Sequence, residues 1–172
     1  LTAANTGQNL GSALTRVVGK GGEPLIRKGV DYAMRLLGKQ FVTGQTIEEA
    51  LKNGKEREKS GYRFSFDMLG EAAMTQADAD RYYQDYVHAI HAIGKDAAGA
   101  GVYEGNGISV KLSAIHPRYV RAQHERVMAE LLPRLKDLFL LAKQYDIGLN
   151  IDAEEANRLE LSLEVFEALA AK

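Results

Sequence analysis

Cysteine is absent from the 172-residue sequence, which excludes disulfide bonds and thiolate metal sites and is consistent with a reducing cytoplasm. The charges almost cancel at a formal net charge of -1, so no positive field favours nucleic acid or an anionic membrane. No apolar run is long enough for a membrane-spanning helix. The sequence also lacks a Walker lysine loop, a G-x-S-x-G elbow and the spacing of zinc ligands.

The residues that are present have the composition of one globular domain. Hydrophobic residues make up 45% of the chain and charged residues 26%, both ordinary for a folded soluble protein. A length of 172 residues suits one domain better than two. The chain starts with leucine and stops on a helix-like segment, "FEALAAK". We therefore expect it to be part of a longer protein.

Residues 1–61 are predicted to form a helical segment. Pro24 stands near a helix start, where its missing N–H is harmless. Thr46 and Glu49 have the spacing of a capping box for a second helix, and Gly61 is a suitable stop. Five apolar side chains recur at helical spacing in the first of these helices: Leu25, Ile26, Val30, Met34 and Leu37.

Residues 62–172 are predicted to alternate between strands and helices. Thr75 or Asp78 is expected to cap the first helix, and Pro133 to bend the second. Strands recur at roughly forty-residue intervals in the order βαβαβα, which is typical of parallel strands joined by crossover helices. The predicted strands are "YRFSFDMLGEA", "ISVKLSA" and "IGLNIDAE".

Each predicted strand divides into an apolar and a polar face. The apolar positions are Phe64, Phe66, Met68, Ile108, Val110, Leu112, Leu149, Ile151 and Ala153. The polar positions are Ser65, Asp67, Glu71, Ser109, Lys111, Ser113, Asn150, Asp152 and Glu154. Parallel strands covered by helices on both faces would be apolar throughout. The pattern therefore predicts an α/β fold, the first three strand–helix units of a (β/α)8 barrel with a polar interior, preceded by the helical segment.

Lys111 is the most informative residue of the polar face. A charge on a strand is costly to bury unless it is paired with an opposite charge or has a role in an active site. The barrel hypothesis places it in a functional interior near the carboxyl-terminal mouth. A purely structural ion pair with Asp67 or Asp152 is the alternative. Two further alternatives are that Asp152 caps a helix that begins near Glu154 and that Glu71 is a first-turn helix charge.

Several weaker signals favour structural roles. His88 and His91 lie three apart beside Asp85, but a third metal ligand is not in the neighbouring sequence. His116 directly precedes Pro117, where a hydrogen bond that stabilises the turn is favoured over contact with a ligand. Three tyrosines at helical spacing are predicted to pack in the core: Tyr82, Tyr83 and Tyr86.

Three segments resemble the first three barrel strands of the proline dehydrogenase domain in the bacterial proline utilization A flavoenzymes: "YRFSFDMLGEAAMT", "YEGNGISVKLSAIHPRY" and "YDIGLNIDAEEANRLELSLE". The lead-in "GEPLIRKGVDYAMRLLGKQFVTGQTIEEAL" is also similar to that family. The resemblance implies an FAD enzyme on a distorted (β/α)8 barrel that oxidises L-proline to Δ1-pyrroline-5-carboxylate. It further implies electron transfer to a membrane quinone, from a cytoplasmic enzyme associated peripherally with the inner membrane.

The same resemblance implies roles for four residues. Lys111 matches the active-site lysine that lies against flavin and proline. Asp152 matches an aspartate that helps to order the arginines binding the proline carboxylate. The backbone of Ala153 matches a position that approaches the flavin. Glu71 matches a glutamate that pairs with an arginine over the substrate, as a gate.

Parts that the family requires are missing from this sequence. It contains three of the eight strand–helix units and no Arg-Arg pair, so the carboxylate clamp and the gate partner are absent. We expect residues 1–172 alone to bind FAD poorly, to leave proline unoxidised and to need the remainder of the barrel. Two rival hypotheses are a Schiff-base aldolase that uses Lys111 and a non-catalytic fragment that assembles into oligomers.

Overall fold

The computed structural model describes residues 23–171, which fall into two compact units. The first unit ends at Gln45, and in it helix α1 spans Glu23–Phe41. Three members of its predicted apolar face are exposed: Ile26, Val30 and Met34. The side chains of the other two members, Leu25 and Leu37, lie outside the described part of the chain.

The second unit comprises residues 46–172 and begins with helix α2, Ile47–Lys59. The Thr46 hydroxyl accepts a hydrogen bond from the backbone N–H of Glu49 at 3.2 Å, which confirms the predicted N-cap. The chain leaves the helix through Gly61, whose φ of +89° is the left-handed conformation that glycine adopts easily.

Three parallel strands form the sheet of this unit. They are β1 (Ser65–Asp67), β2 (Gly107–Val110) and β3 (Leu149–Ile151), adjacent in chain order. Phe66 pairs with Ile108 in the first ladder, and Ile108 with Leu149 in the second. The predicted βαβαβα order is confirmed, because helices separate and follow the strands.

Five helices complete the unit: α3 (Gln76–Ala97), α4 (Gly101–Glu104), α5 (Leu112–Ile115), α6 (His124–Gln144) and α7 (Leu159–Ala170). Single 3-10 turns precede the last two, at Arg121–Gln123 and Ala156–Arg158. Thr75, one of the two predicted caps, caps α3 in a complete capping box with Asp78. Within residues 23–171, no helix is both long and apolar enough to cross a bilayer.

The strands are shorter than predicted, and this corrects part of the polar-face assignment. β2 ends at Val110, so Lys111 follows the strand instead of lying within it. Leu112 and Ser113 belong to the helical turn α5, because the N–H of Ala114 already bonds to the carbonyl of Lys111 at 3.1 Å. Five residues of the predicted polar face therefore lie in the segments after the strands: Glu71, Lys111, Ser113, Asp152 and Glu154.

The apolar face of the sheet packs against helices, as the two-residue period predicts. Ile108 and Val110 at the centre of the sheet are fully buried. Tyr86, also buried, confirms the packing role predicted for the tyrosine cluster. The helices contribute further fully buried side chains to the same cluster: Ile90 and Ile93 of α3, Leu131, Leu135 and Leu138 of α6, and Leu161 and Val165 of α7. This packing holds the opposite, polar side of the sheet in a fixed position.

Candidate active site

Three charged side chains meet where the parallel strands end. Asp67 is the last residue of β1, Lys111 directly follows β2, and Asp152 directly follows β3. Because parallel strands end at one edge of the sheet, the three side chains converge. The Lys111 Nζ lies 2.5 Å from an oxygen of Asp67 and 2.9 Å from an oxygen of Asp152. This cluster of Lys111, Asp67 and Asp152 is called the lysine clamp below.

The backbone of Lys111 is tied to the core beneath the clamp. Its N–H donates to the hydroxyl oxygen of Tyr86 at 3.1 Å. Tyr86 is buried, and burial raises the pKa of its phenol to about 12. The phenol therefore stays neutral at physiological pH and holds the start of the chain segment that leaves β2.

The electrostatics of the clamp keep Lys111 charged. Burial by itself lowers the pKa of the ammonium, but hydrogen bonds to Asp67 and Asp152 and their negative charges outweigh it, so the pKa lies above its ordinary value. Two carboxylates face one ammonium, so the clamp carries an excess negative charge. An anionic group that enters this site needs further cations to be bound well.

A row of uncharged polar side chains continues the polar face toward the start of the strands. The hydroxyl oxygens of Ser65 and Ser109 lie 2.8 Å apart. The side-chain amide of Asn150 donates to Ser65 at 2.9 Å. All three strands thus turn polar groups to the same side, as predicted; on it Ser65 and Asn150 are exposed and Ser109 is buried.

The other two proposed site residues are not members of the clamp. Ala153 is exposed immediately after Asp152. Glu71 is exposed in the loop after β1, and its carboxylate makes no hydrogen bond or ion pair with any residue between 23 and 171. Both residues lie on the carboxyl-terminal side of the sheet.

The structure contradicts two of the purely structural roles that the sequence left open for the site residues. Asp152 does not cap a helix, because its carboxylate contacts Lys111 and the following 3-10 turn has Glu155 at its N-cap. Glu71 is not a first-turn helix charge, because α3 begins at Gln76. The third alternative, an ion pair of Lys111, is present with both aspartates, and it is compatible with a functional clamp.

The histidines make separate structural contacts. His88 contacts Glu48 at 2.7 Å, and His91 contacts the hydroxyl of Tyr145 at 2.8 Å. His116 is buried and accepts a hydrogen bond from the N–H of Arg118 at 3.2 Å, which confirms the predicted role in the turn. Over residues 23–171, no group of three His, Asp or Glu side chains is arranged to hold a metal ion.

The match to a known family decides the classification of this sheet and its clamp. The family described as Proline dehydrogenase matches residues 50–172. The chain belongs to the proline dehydrogenase family. The resemblance inferred from the three strand segments is thereby confirmed.

Relatives in the proline dehydrogenase family include long bifunctional proteins. The chain is 64% identical to the bifunctional protein PutA of Salmonella typhimurium and 63% identical to that of Escherichia coli, over 98% of the chain in each case. The chain spans 13% of the length of these two relatives. It is 30% identical to proline dehydrogenase 1 of Bacillus subtilis, over 78% of the chain and 40% of that protein.

Solved structures of proline utilization A (PutA) share the fold. The PutA of Bradyrhizobium japonicum aligns with a TM-score of 0.70 at 50% identity, over 91% of this chain and 16% of that one. The PutA of Bdellovibrio bacteriovorus, inactivated by N-propargylglycine, aligns with a TM-score of 0.77 at 27% identity, over 86% of this chain and 17% of that one. The fold class predicted from the alternating strands, a piece of a (β/α) barrel after a helical segment, is confirmed.

Sequence reasoning treated Asp67 only as a structural partner of Lys111 and Tyr86 only as a packing residue. In the structure Asp67 makes the shorter of the two contacts to the Lys111 ammonium, and Tyr86 holds the Lys111 backbone. The place of Asp67 on the predicted polar face, two residues after Ser65, was a usable signal. The bond from Lys111 to the Tyr86 hydroxyl joins residues 25 apart and leaves no trace in any sequence period.

Proposed function

We propose that this chain forms the first three strand–helix units of a proline dehydrogenase barrel that oxidises L-proline to Δ1-pyrroline-5-carboxylate with FAD as cofactor. The observation that carries the proposal is the lysine clamp at the carboxyl-terminal edge of the sheet, where (β/α)8 enzymes have their active sites. Family membership supplies the reaction class.

Lys111 is proposed to bind the carboxylate of proline. Its ammonium has three N–H donors, and the two aspartates accept from it at 2.5 and 2.9 Å, which leaves donor capacity for a ligand. Asp67 and Asp152 hold the ammonium in place and keep it protonated. Because the clamp has an excess negative charge, the substrate carboxylate needs additional cations, and the remainder of the barrel is proposed to supply them as paired arginines.

The residues at this edge fit a flavin. An isoalloxazine ring presents carbonyl oxygens and ring nitrogens that accept hydrogen bonds. Lys111 is a donor, and Ala153 is exposed directly after Asp152 of the clamp. Lys111 and Ala153 are therefore the residues of this chain proposed to lie against FAD. When bound, FAD supplies the acceptor for the hydride that leaves C5 of proline.

Glu71 is proposed to act as a gate over the substrate. Its carboxylate is exposed and has no partner among residues 23–171, so it is available to pair with an arginine from a later part of the barrel. Such a pair is proposed to form over the substrate and to limit access of water.

The remaining proposals concern partners of the longer protein. We propose a quinone in the membrane as electron acceptor and a cytoplasmic enzyme with peripheral attachment to the inner membrane. Nucleic acid is not a proposed partner of this segment, whose net charge is -1. By itself the chain is proposed to be inactive, since the clamp lacks its cations.

The Schiff-base aldolase hypothesis is disfavoured by the electrostatics of Lys111. An imine-forming lysine needs a lowered pKa so that the amine is neutral and nucleophilic. The two carboxylates raise the pKa of Lys111 instead. Borohydride with a carbonyl substrate is therefore expected to leave Lys111 unlabelled.

The test uses the full-length protein with FAD and L-proline. Lys111→Ala and Asp152→Ala are each expected to lower kcat/KM for proline by ~100-fold or more, as for charged contacts made in a buried site. The flavin absorbance of each variant reports whether it contains FAD, and its thermal stability reports whether it is folded. Lys52→Ala, an exposed lysine of α2, serves as the control and is expected to keep wild-type activity. Wild-type activity in loaded Lys111→Ala would overturn the proposal.

A further inference from the structure

The loops that follow the three strands are joined to one another at Ser113. The Ser113 hydroxyl accepts from the N–H of Ala72 at 3.0 Å, and the Ser113 carbonyl accepts from the N–H of Ala73 at 2.9 Å. The N–H of Ser113 donates to a carboxylate oxygen of Glu154 at 2.9 Å. One residue after β2 therefore contacts both the loop after β1 and the segment after β3. These contacts are called the Ser113 junction.

Ser113 at the centre of the junction is buried, and the negative charge of Glu154 is paired with the positive charge of Arg158. Ser113 is 3% exposed, and the side chains of Glu154 and Arg158 are 10% and 18% exposed. Arg158 contacts the second carboxylate oxygen of Glu154 at 2.8 Å, and its guanidinium lies 5.5 Å above the Tyr119 ring. A buried carboxylate that is paired and also accepts from a backbone N–H is held in one orientation.

The loop that the junction holds has an unfavourable backbone. Ala72 has a φ of +50°, the left-handed region that an alanine seldom adopts. Gly70 has a φ of +153° and lies so close to the Tyr82 ring that a Cβ there would be 2.5 Å from a ring carbon. The two hydrogen bonds to Ser113 compensate for this strain. Glu71 lies between these two residues, so the direction of its carboxylate depends on how the loop is held.

We propose that Ser113, held by Glu154, is a positioning residue for Glu71. The proposal rests on the proposed function of Glu71 as a gate. It extends that function by identifying the residue that fixes the position of the Glu71 carboxylate. The hydrogen bonds of Ser113 go to Ala72, Ala73 and Glu154 and not to the lysine clamp, so it acts on the substrate through the loop. Glu154 acts one step further away, by fixing the N–H of Ser113.

The first measurement is hydrogen exchange of the peptide that spans residues 68–75 in the full-length protein. Ser113→Ala removes the acceptor of the Ala72 N–H, so exchange in this peptide is expected to become about fivefold faster or more, as for the loss of one hydrogen bond. Glu154→Ala is expected to have the same effect, and Glu154→Gln, which keeps an acceptor oxygen, a smaller one. Ser60→Ala, at the exposed end of α2, is the control and is expected to leave exchange unchanged. Unchanged exchange in Ser113→Ala would overturn the proposal.

The second measurement is a double-mutant cycle of proline oxidation. Ser113→Ala is expected to raise KM for proline more than it lowers kcat, because the gate governs substrate retention. If Ser113 acts through Glu71, the double variant Glu71→Ala, Ser113→Ala is no worse than Glu71→Ala alone. Additive losses would show that Ser113 acts elsewhere and would contradict the proposal. A wild-type protein that does not oxidise proline would refute the proposed function, and the exchange data would then decide alone whether Ser113 holds the loop.

Discussion

At the residue scale, Lys111 shows why a charge is found directly after a buried strand. Ile108 and Val110 are fully buried on one side of the sheet, while the side chain of Lys111 extends to the other side and is 16% exposed. An ammonium with so little exposure is stable only when it is paired, and two carboxylates pair with it. The same position of the Lys111 side chain therefore serves both the two ion pairs and the proposed role of Lys111 in the active site.

His116 provides a prediction about pH at the same scale. Burial lowers the pKa of its imidazole below the ordinary 6.5, although Glu130, at 3.1 Å, acts in the opposite direction. The unfolded chain thus binds a proton at a higher pH than the folded chain. The contribution of His116 to stability is complete above about pH 6.5 and is lost as the pH falls through the folded pKa. We expect the melting temperature to decrease between pH 7.5 and pH 5.5.

Comparison with His116→Gln isolates this effect, because glutamine can still accept from Arg118 and donate to Glu130. The variant is expected to show a smaller decrease in melting temperature over the same pH range. Gln84→Ala, at an exposed position without a titratable side chain, serves as the control and is expected to retain the wild-type pH dependence. Equal pH dependence in wild type and His116→Gln would contradict the assignment.

At the element scale, strand existence and order were predictable, but strand ends were not. The alternation in "RFSFD", "ISVK" and "LNID" predicted which side chains share a face, and the contact of Lys111 with Asp152 bears this out. The turn α5 was missed because Leu112 and Ser113 continue the two-residue alternation by chance. The Ser113 junction was missed because its side-chain contacts join residues 41 apart, and such contacts have no local pattern.

Packing between α3 and the end of α6 gives a prediction about stability. Gly94 is buried, and a Cβ at this position would lie 2.1 Å from the ring of Tyr145. Gly94→Ala must therefore push the helices apart, and we expect a loss of about 1–3 kcal/mol in the free energy of unfolding, as for an overpacked core. Pulse proteolysis in urea measures this loss. Lys95→Ala, at the exposed neighbouring position, is expected to stay within about 0.5 kcal/mol of wild type.

At the scale of the whole molecule, the sheet is open at both edges. β1 and β3 each pair with only one neighbour among residues 23–171. The outer side of α7 also exposes large apolar side chains: Leu159, Leu163 and Phe166. Unpaired strand edges and apolar surface of this kind favour association with other chains.

The isolated 172-residue chain is therefore expected to behave differently from the full-length protein. Purified alone, it should elute as dimers or larger species in size-exclusion chromatography and bind little FAD. It should also fail to reduce a dye with L-proline, because the clamp lacks the cations needed for a carboxylate substrate. A monomer that binds FAD and oxidises proline would contradict the view that the remaining barrel is required.

The most direct test of the lysine clamp is a crystal structure of the full-length protein with a bound carboxylate analogue of proline. We predict that the Lys111 ammonium lies within about 3.2 Å of the analogue's carboxylate, the range of a charge-assisted hydrogen bond, while it still contacts Asp67 and Asp152. A Lys111 side chain turned away from the analogue, or an Asp152 separated from it on the far side of the sheet, would contradict the account.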